Sequence, residues 1–288
     1  MIVNNLIGDT PLIQVSENVY AKLETVNPSG SVKDRMVSYL ISRAIESGEL
    51  CERHDTLIEA SSGNTGISLS MMGAALGRHV IIIMPQNMSE ERKSMMRSYG
   101  AEIIEVGDNA FADAIALRDK LLTQNLNYWS PKQFSNPLNI ECHFTTTAWE
   151  IFSGMPRDKK LEAFIHGAGT GGTMMGIKKF FDRWPDFAYN PEFILVQPAE
   201  PASEHGIQGI NDGADFLVDT ASMHGNIMIS TNEAIERAKR FASETGLLVG
   251  ISSGANLLAC ERYIEERDIE GFVVTILCDR GERYLSIF

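Results

Sequence analysis

The chain has 288 residues, 44% hydrophobic and 22% charged, the mix of a folded globule rather than a disordered segment. A net charge of −13, from 25 Lys and Arg against 38 Asp and Glu, argues against nucleic acid as a partner, because phosphates call for a basic surface. An anionic small molecule would have to be held by local positive potential instead.

Along the chain, apolar runs alternate with helix-periodic segments. Strands are predicted at 19–23, 57–59, 80–84, 102–106, 163–166, 193–197 and 273–277. Helices are predicted at 34–47, 66–76, 89–99, 110–124, 173–183, 231–244 and 255–266, with Ser89 and Thr231 as N-caps and Gly48, Gly100 and Gly246 as stops. Runs such as VIIIM at 80–84 are apolar on both faces, the mark of parallel strands covered by helices. The fold class is therefore α/β, with open, mostly parallel sheets flanked by helices. Length suits two domains or one large unit, with a core that needs no staples. No linker, repeat or low-complexity tract divides the chain, and the irregular stretch 125–139 reads as a crossing between two lobes.

Cys51, Cys142, Cys260 and Cys278 form no C-x-x-C pair, and their spacing suits neither a zinc site nor a disulfide framework, so a reduced, cytoplasmic setting is expected. MIVNNLIGDTPLIQ at the start has no basic region followed by a long apolar run. No apolar stretch approaches the roughly 18–20 residues of a membrane span.

Three loops carry chemistry. In NPSGSVKDR (27–35) a turn of small residues leads into a helix, with Lys33 in its first turn. The helix dipole is positive there, which disfavours the ammonium and favours the neutral amine that Schiff-base chemistry needs. The alternative is a solvated surface lysine. Ser61, Ser62, Gly63, Asn64, Thr65 and Gly66 join a strand to a helix and offer N–H groups and hydroxyls to a small carboxylate, or simply cap a βα turn. Gly167-Ala168-Gly169-Thr170-Gly171-Gly172-Thr173 is a phosphate cradle by composition. It also fits the dinucleotide pattern G-x-G-x-x-G, so its residues alone leave the cofactor open. A fourth turn, Gly250 to Gly254, places Ser252 at a helix start, where it could bond a ring nitrogen or merely cap.

Together these segments resemble the cysteine synthases, the O-acetylserine sulfhydrylases among the fold type II (tryptophan-synthase-β-like) pyridoxal-phosphate (PLP) enzymes. The resemblance rests on IGDTPL (7–12), NPSGSVKDR (27–35), SSGNTG (61–66), MPQNMSEERKSMMRSYGAE (84–102), QFSNP (133–137), GTGGT (169–173), GISSGA (250–255) and GERYLS (281–286), which occur in family order over nearly the whole chain. It implies that Lys33 carries the cofactor and moves the substrate α-proton, and that Asn64 sits beside the ring hydroxyl. It implies that Gly169, Thr170, Gly171, Gly172 and Thr173 hold the phosphate, and that Ser252 partners the pyridine nitrogen. Ser61, Ser62, Asn64, Thr65 and Gln133 would grip the substrate carboxylate. A neutral hydroxyl at the pyridine nitrogen suits β-elimination and β-replacement. The implied activity is a transferase that makes L-cysteine, or S-sulfocysteine, from O-acetyl-L-serine and sulfide or thiosulfate, with ping-pong kinetics.

The resemblance further implies a homodimer, leaves room for a serine acetyltransferase partner, and makes residues 37–136 a smaller mobile lobe against 1–36 and 137–288. NPSGSVKDR, the stretch 84–102 and CDRGERYLS look like the B-type branch, which accepts thiosulfate, whereas Gly206-Ile207-Gln208-Gly209-Ile210 looks like the A-type. Cys278 stands where the B-type has a cysteine near the site, or is a small buried hydrophobe. The rival activities are a serine or threonine dehydratase, a cystathionine synthase and an O-phosphoserine sulfhydrylase. A catalytically silent PLP-binding protein and a nicotinamide enzyme built on Gly167–Gly172 alone are the readings from other classes.

Overall fold

A computed structural model describes residues 2–61, 63–108, 110–183, 190–202, 204–210 and 217–288. Its larger sheet runs β1 (Leu12–Ser16), β2 (Val19–Leu23), β10 (Phe272–Leu277), β7 (Leu161–Gly167), β8 (Glu192–Pro198), β9 (Gly225–Ile229). Every pairing in it is parallel except the β1–β2 hairpin. The smaller sheet, β5 (Glu102–Val106), β4 (His79–Pro85), β3 (Thr56–Ala60), β6 (Tyr128–Trp129), is parallel throughout.

Burial on both faces explains the continuous apolar strands. In β3 and β4, Leu57, Val80, Ile82 and Met84 point to a core built with α1 (Lys33–Ser47) and α2 (Asn64–Leu76). Their neighbours Ile58, Ala60, Ile81 and Ile83 point the other way, toward Ala114 of α4 (Phe111–Gln124). The larger sheet divides likewise. Ile165, Val196 and Val273 pack with α9 (Ile251–Arg267), while Phe164, Leu195 and Val274 pack with α7 (Gly172–Arg183). The intervening helices are α3 (Glu90–Ser98), α5 (Leu138–Thr145), α6 (Thr147–Gly154) and α8 (Thr231–Thr245). Among the described residues no helix is long and apolar enough to cross a membrane.

The expected cap of α8 is displaced by one residue. Ser230 is the N-cap, closing a capping box with Glu233. The Thr231 hydroxyl instead accepts from the Gly206 amide at 2.8 Å and ties down the loop after β8.

The first turn of α1 is clamped from both sides. Asp34 is buried and accepts from the Ser29 amide (2.7 Å) and from the hydroxyls of Ser29 and Ser68. Burial pushes its carboxyl pKa up against those bonds. Arg35 pairs with Glu24 (2.7 Å) and Glu150 (2.6 Å), and Lys22 joins Glu150 at 2.6 Å. The cost of that cluster falls on Lys22, where burial outweighs the pairing and lowers the pKa. The residues that follow Lys33 thus fix the helix turn from which Lys33 projects.

Candidate active site

The C-terminal ends of strands in both sheets face one cleft, where ligands of open α/β sheets bind. Two cavities open there and share Lys33, Asn64, Gly169, Thr170, Gln208 and Gly209. The inner one is completed by Val32, His166, Gly171, Thr173, Ser252 and Cys278, among others. The outer one adds Ser61, Gly63, Thr65, Arg92, Phe111, Gln133 and Phe134. Of the predicted residues, Gly172 lies just behind the cup, and Ser62 falls outside the described residues.

Local sequence explains each wall. In the turn before α2, Ser61 Oγ accepts from the Gly63 and Gly66 amides at 3.2 and 2.9 Å, capping that helix in place of a residue at its own N-cap. Thr65 Oγ1 donates to Gln133 Oε1 at 2.6 Å, so two residues far apart in sequence meet. Gln133 is itself held by the Ala60 carbonyl (2.9 Å) and Glu59 Oε2 (3.1 Å). Asn64, the first residue of α2, donates to Asp279 Oδ2 at 2.6 Å, and its Oδ1 is buried with no partner.

The glycine cup admits no side chains. A Cβ on Gly169 would stand 2.4 Å from the Gly209 carbonyl oxygen, and one on Gly172 would stand 1.9 Å from Asn139 Oδ1. Gly171 has φ +92°, and a Cβ there would meet the Val218 backbone at 2.7 Å. Asn139 donates to Thr170 Oγ1 at 3.0 Å and so orients that hydroxyl.

The field in the cleft opposes that of the whole chain. Lys33 and Arg92 line it, and no Asp or Glu does among the described residues. The N-termini of α2, α7 and α9 open onto it without an acidic residue in their first turns. Two buried histidines beside Lys33 are neutral. Burial first, then the charge of Lys33, hold His166 at about 3, and the same causes lower His143 well below its ordinary value. The tautomer of His166 follows from Asn256, whose Oδ1 accepts from the Gly167 amide (2.9 Å) and whose Nδ2 donates to the Ile276 carbonyl (3.0 Å). The second hydrogen of that Nδ2 faces His166 Nδ1 at 3.0 Å, so Nδ1 accepts and Nε2 carries the proton.

Cys278 lines the inner cavity, but burial, reinforced by Asp279, pushes its thiol up to about 12. It is therefore a thiol rather than a nucleophilic thiolate near neutral pH. Sequence reasoning missed Arg92, His166 and Asn139. Arg92 had a signal, a cation in the first turn of α3 against the helix dipole. His166 and Asn139 had none, since only packing brings them to the cup.

Fold and cleft agree with the comparisons. The family of pyridoxal-phosphate dependent enzymes matches residues 3–279, which defines the class. A cysteine synthase from Staphylococcus aureus (strain Mu50 / ATCC 700699) is 37% identical over 299 residues, covering 99% of this chain and 95% of its own. A hydrogen sulfide-producing enzyme from Fusobacterium nucleatum superposes with a TM-score of 0.88 at 34% identity, over 98% of this chain and 99% of that one. An O-acetylserine dependent cystathionine β-synthase from Helicobacter pylori gives 0.87 at 31% identity, over 99% and 96%. The chain belongs to the cysteine synthase family of fold type II PLP-dependent enzymes.

The residues present fit that cofactor. The closed glycine cup at the start of α7 takes a phosphate without a cation. The orphaned Oδ1 of Asn64 and a lysine in the same cleft supply a polar contact and an amine.

Proposed function

We propose that this protein is a cysteine synthase that replaces the acetate of O-acetyl-L-serine with sulfide, and that thiosulfate serves as a second donor. The observation that carries the reading is that Lys33 and the glycine cup share one cleft with Ser61, Asn64, Thr65 and Gln133. PLP, when bound, supplies the electron sink that stabilises charge at the substrate α-carbon. Gly169, Thr170, Gly171, Gly172 and Thr173 hold its phosphate, Asn64 its ring hydroxyl and Ser252 its ring nitrogen. Ser61, Ser62, Asn64, Thr65 and Gln133 orient the substrate carboxylate. Lys33 Nζ removes the α-proton, the β-carbon–oxygen bond breaks with loss of acetate, sulfide forms the β-carbon–sulfur bond, and Lys33 returns the proton. The thiol of Cys278 takes no part as a nucleophile.

The same reading makes residues 37–136 a lobe that closes over substrate, gives the protein a homodimeric, cytoplasmic form, and leaves room for serine acetyltransferase as a partner. Size-exclusion chromatography and co-purification check the assembly. A change in small-angle scattering on adding substrate checks closure.

The deciding experiment is an assay of the PLP-loaded protein with O-acetyl-L-serine and, in parallel, sulfide, thiosulfate and homocysteine, with products identified by mass spectrometry. L-Cysteine as the main product supports the reading. Cystathionine as the main product would move it to the chemistry named for the Helicobacter relative. Lys33→Ala should lower turnover by about 10²–10⁴-fold.

A further inference from the structure

Arg92 is the anomaly of the cleft. It is 2% exposed, lines the outer cavity and stacks over the Tyr284 ring at 4.7 Å. Its Nε is sealed from solvent without a hydrogen-bond partner. Among the other buried arginines, Arg35 is paired with Glu24 and Glu150 and Arg118 with Glu59, while Arg283 shares an unpartnered Nε but donates through its Nη2 to the Ser29 carbonyl. Arg92 has neither a carboxylate nor a carbonyl among the described residues. A guanidinium keeps its charge when buried, so a site like this lacks an anion.

Position identifies the anion. A Cβ on Gly63 would lie 2.9 Å from Arg92 Cδ and Nε, so the guanidinium packs directly on the turn between β3 and α2. Gly63 is a close-approach glycine there, not a left-handed one. Arg92 shares the outer cavity with Thr65 and Gln133; Gly169 and Thr170 border that cavity too, but Gly171 and Thr173 of the cup line only the inner one, which Arg92 does not reach. The turn against which Arg92 packs is therefore a better match for it than the cofactor phosphate.

We propose that Arg92 is a substrate-binding residue, its guanidinium the counter-charge for the α-carboxylate of an amino acid seated on the 61–66 turn. This deepens the site reading given above and rests on it. On this assignment part of the preference for an acid over its amide or ester comes from Arg92.

The test is calorimetric titration of the PLP-loaded protein with L-alanine and with L-alaninamide, which share the amine and differ in the carboxylate. Wild type should prefer the acid. In R92Q that preference should fall roughly tenfold or more while L-alaninamide affinity holds. R92K, which keeps a charge at shorter reach, should fall between the two. Should R92Q fail to fold, R92K carries the comparison alone, and an acid-to-amide ratio equal to wild type overturns the proposal. Equal weakening of both ligands in R92Q also overturns it, since Arg92 would then only support the turn. A wild-type protein that binds L-alanine in neither site nor measure sinks the site reading and this inference together. Binding with an unchanged ratio in R92Q sinks the inference alone.

Discussion

Asn64 Nδ2 donates to Asp279 Oδ2 across 2.6 Å, and this bond joins the two sheets: Asn64 opens the helix after β3, and Asp279 follows β10. Tyr284 OH donates to the same oxygen at 2.7 Å. Asp279 is fully buried, so its carboxylate fixes the rotamer of Asn64 and with it the orphaned Oδ1, which on the proposed reading would meet the cofactor ring hydroxyl. Asp279→Asn puts an amide where two donors converge. Hydrogen bonds to a charged group contribute about 1.5–3 kcal/mol, so PLP affinity should fall roughly 10–100-fold. Fluorescence titration of the apoprotein with PLP measures it. Unchanged affinity would mean that Asn64 holds its orientation without Asp279.

Gly169→Ala tests the cup. The new methyl would meet a backbone oxygen, that of Gly209, at 2.4 Å, and backbone gives less readily than a flexible side chain. Overpacking of this kind costs about 1–3 kcal/mol. It falls on the face that would receive the phosphate, so PLP affinity should drop more than the melting temperature of the apoprotein. Differential scanning calorimetry with and without PLP separates the two effects. A loss confined to the apoprotein would point to general strain rather than to the cup.

Strands and helices with strong periodicity were legible because burial on both faces, as in β4, leaves an unbroken apolar signal. The misses have physical causes. β1 is an edge strand with no buried residue, β6 has only two residues, and α5 and α6 abut one another at Thr146 without a punctuating glycine or proline between them. Thr231 read as a cap because Ser230 beside it is equally suitable, and only the return bond from Glu233 decides. In the cleft, the loops that present backbone groups were legible as small-residue turns. His166 was not, because its chemistry depends on Asn256, 90 residues away. Arg92 left only the mark of a cation in the first turn of a helix, and that reads as surface until its burial is known.

Glu150 makes stability pH-dependent in a predictable direction. Its side chain is largely buried, and its bonds to Arg35 and Lys22 outweigh the desolvation that comes first among its influences, leaving its pKa at about 2 against an ordinary 4.5. A carboxyl whose folded pKa is depressed stabilises the native state above its unfolded pKa and loses that contribution as pH falls through the folded one. The window is therefore about pH 4.5 down to about 2, and the amount lost is on the order of 3 kcal/mol. Glu150→Gln should be less stable than wild type at pH 7, since it leaves the buried charges of Arg35 and Lys22 short of a partner. The gap should narrow as pH falls through that window. Urea midpoints of both proteins from pH 7 to pH 3 measure it, and parallel curves would mean that the cluster keeps Glu150 ionised no better than water does.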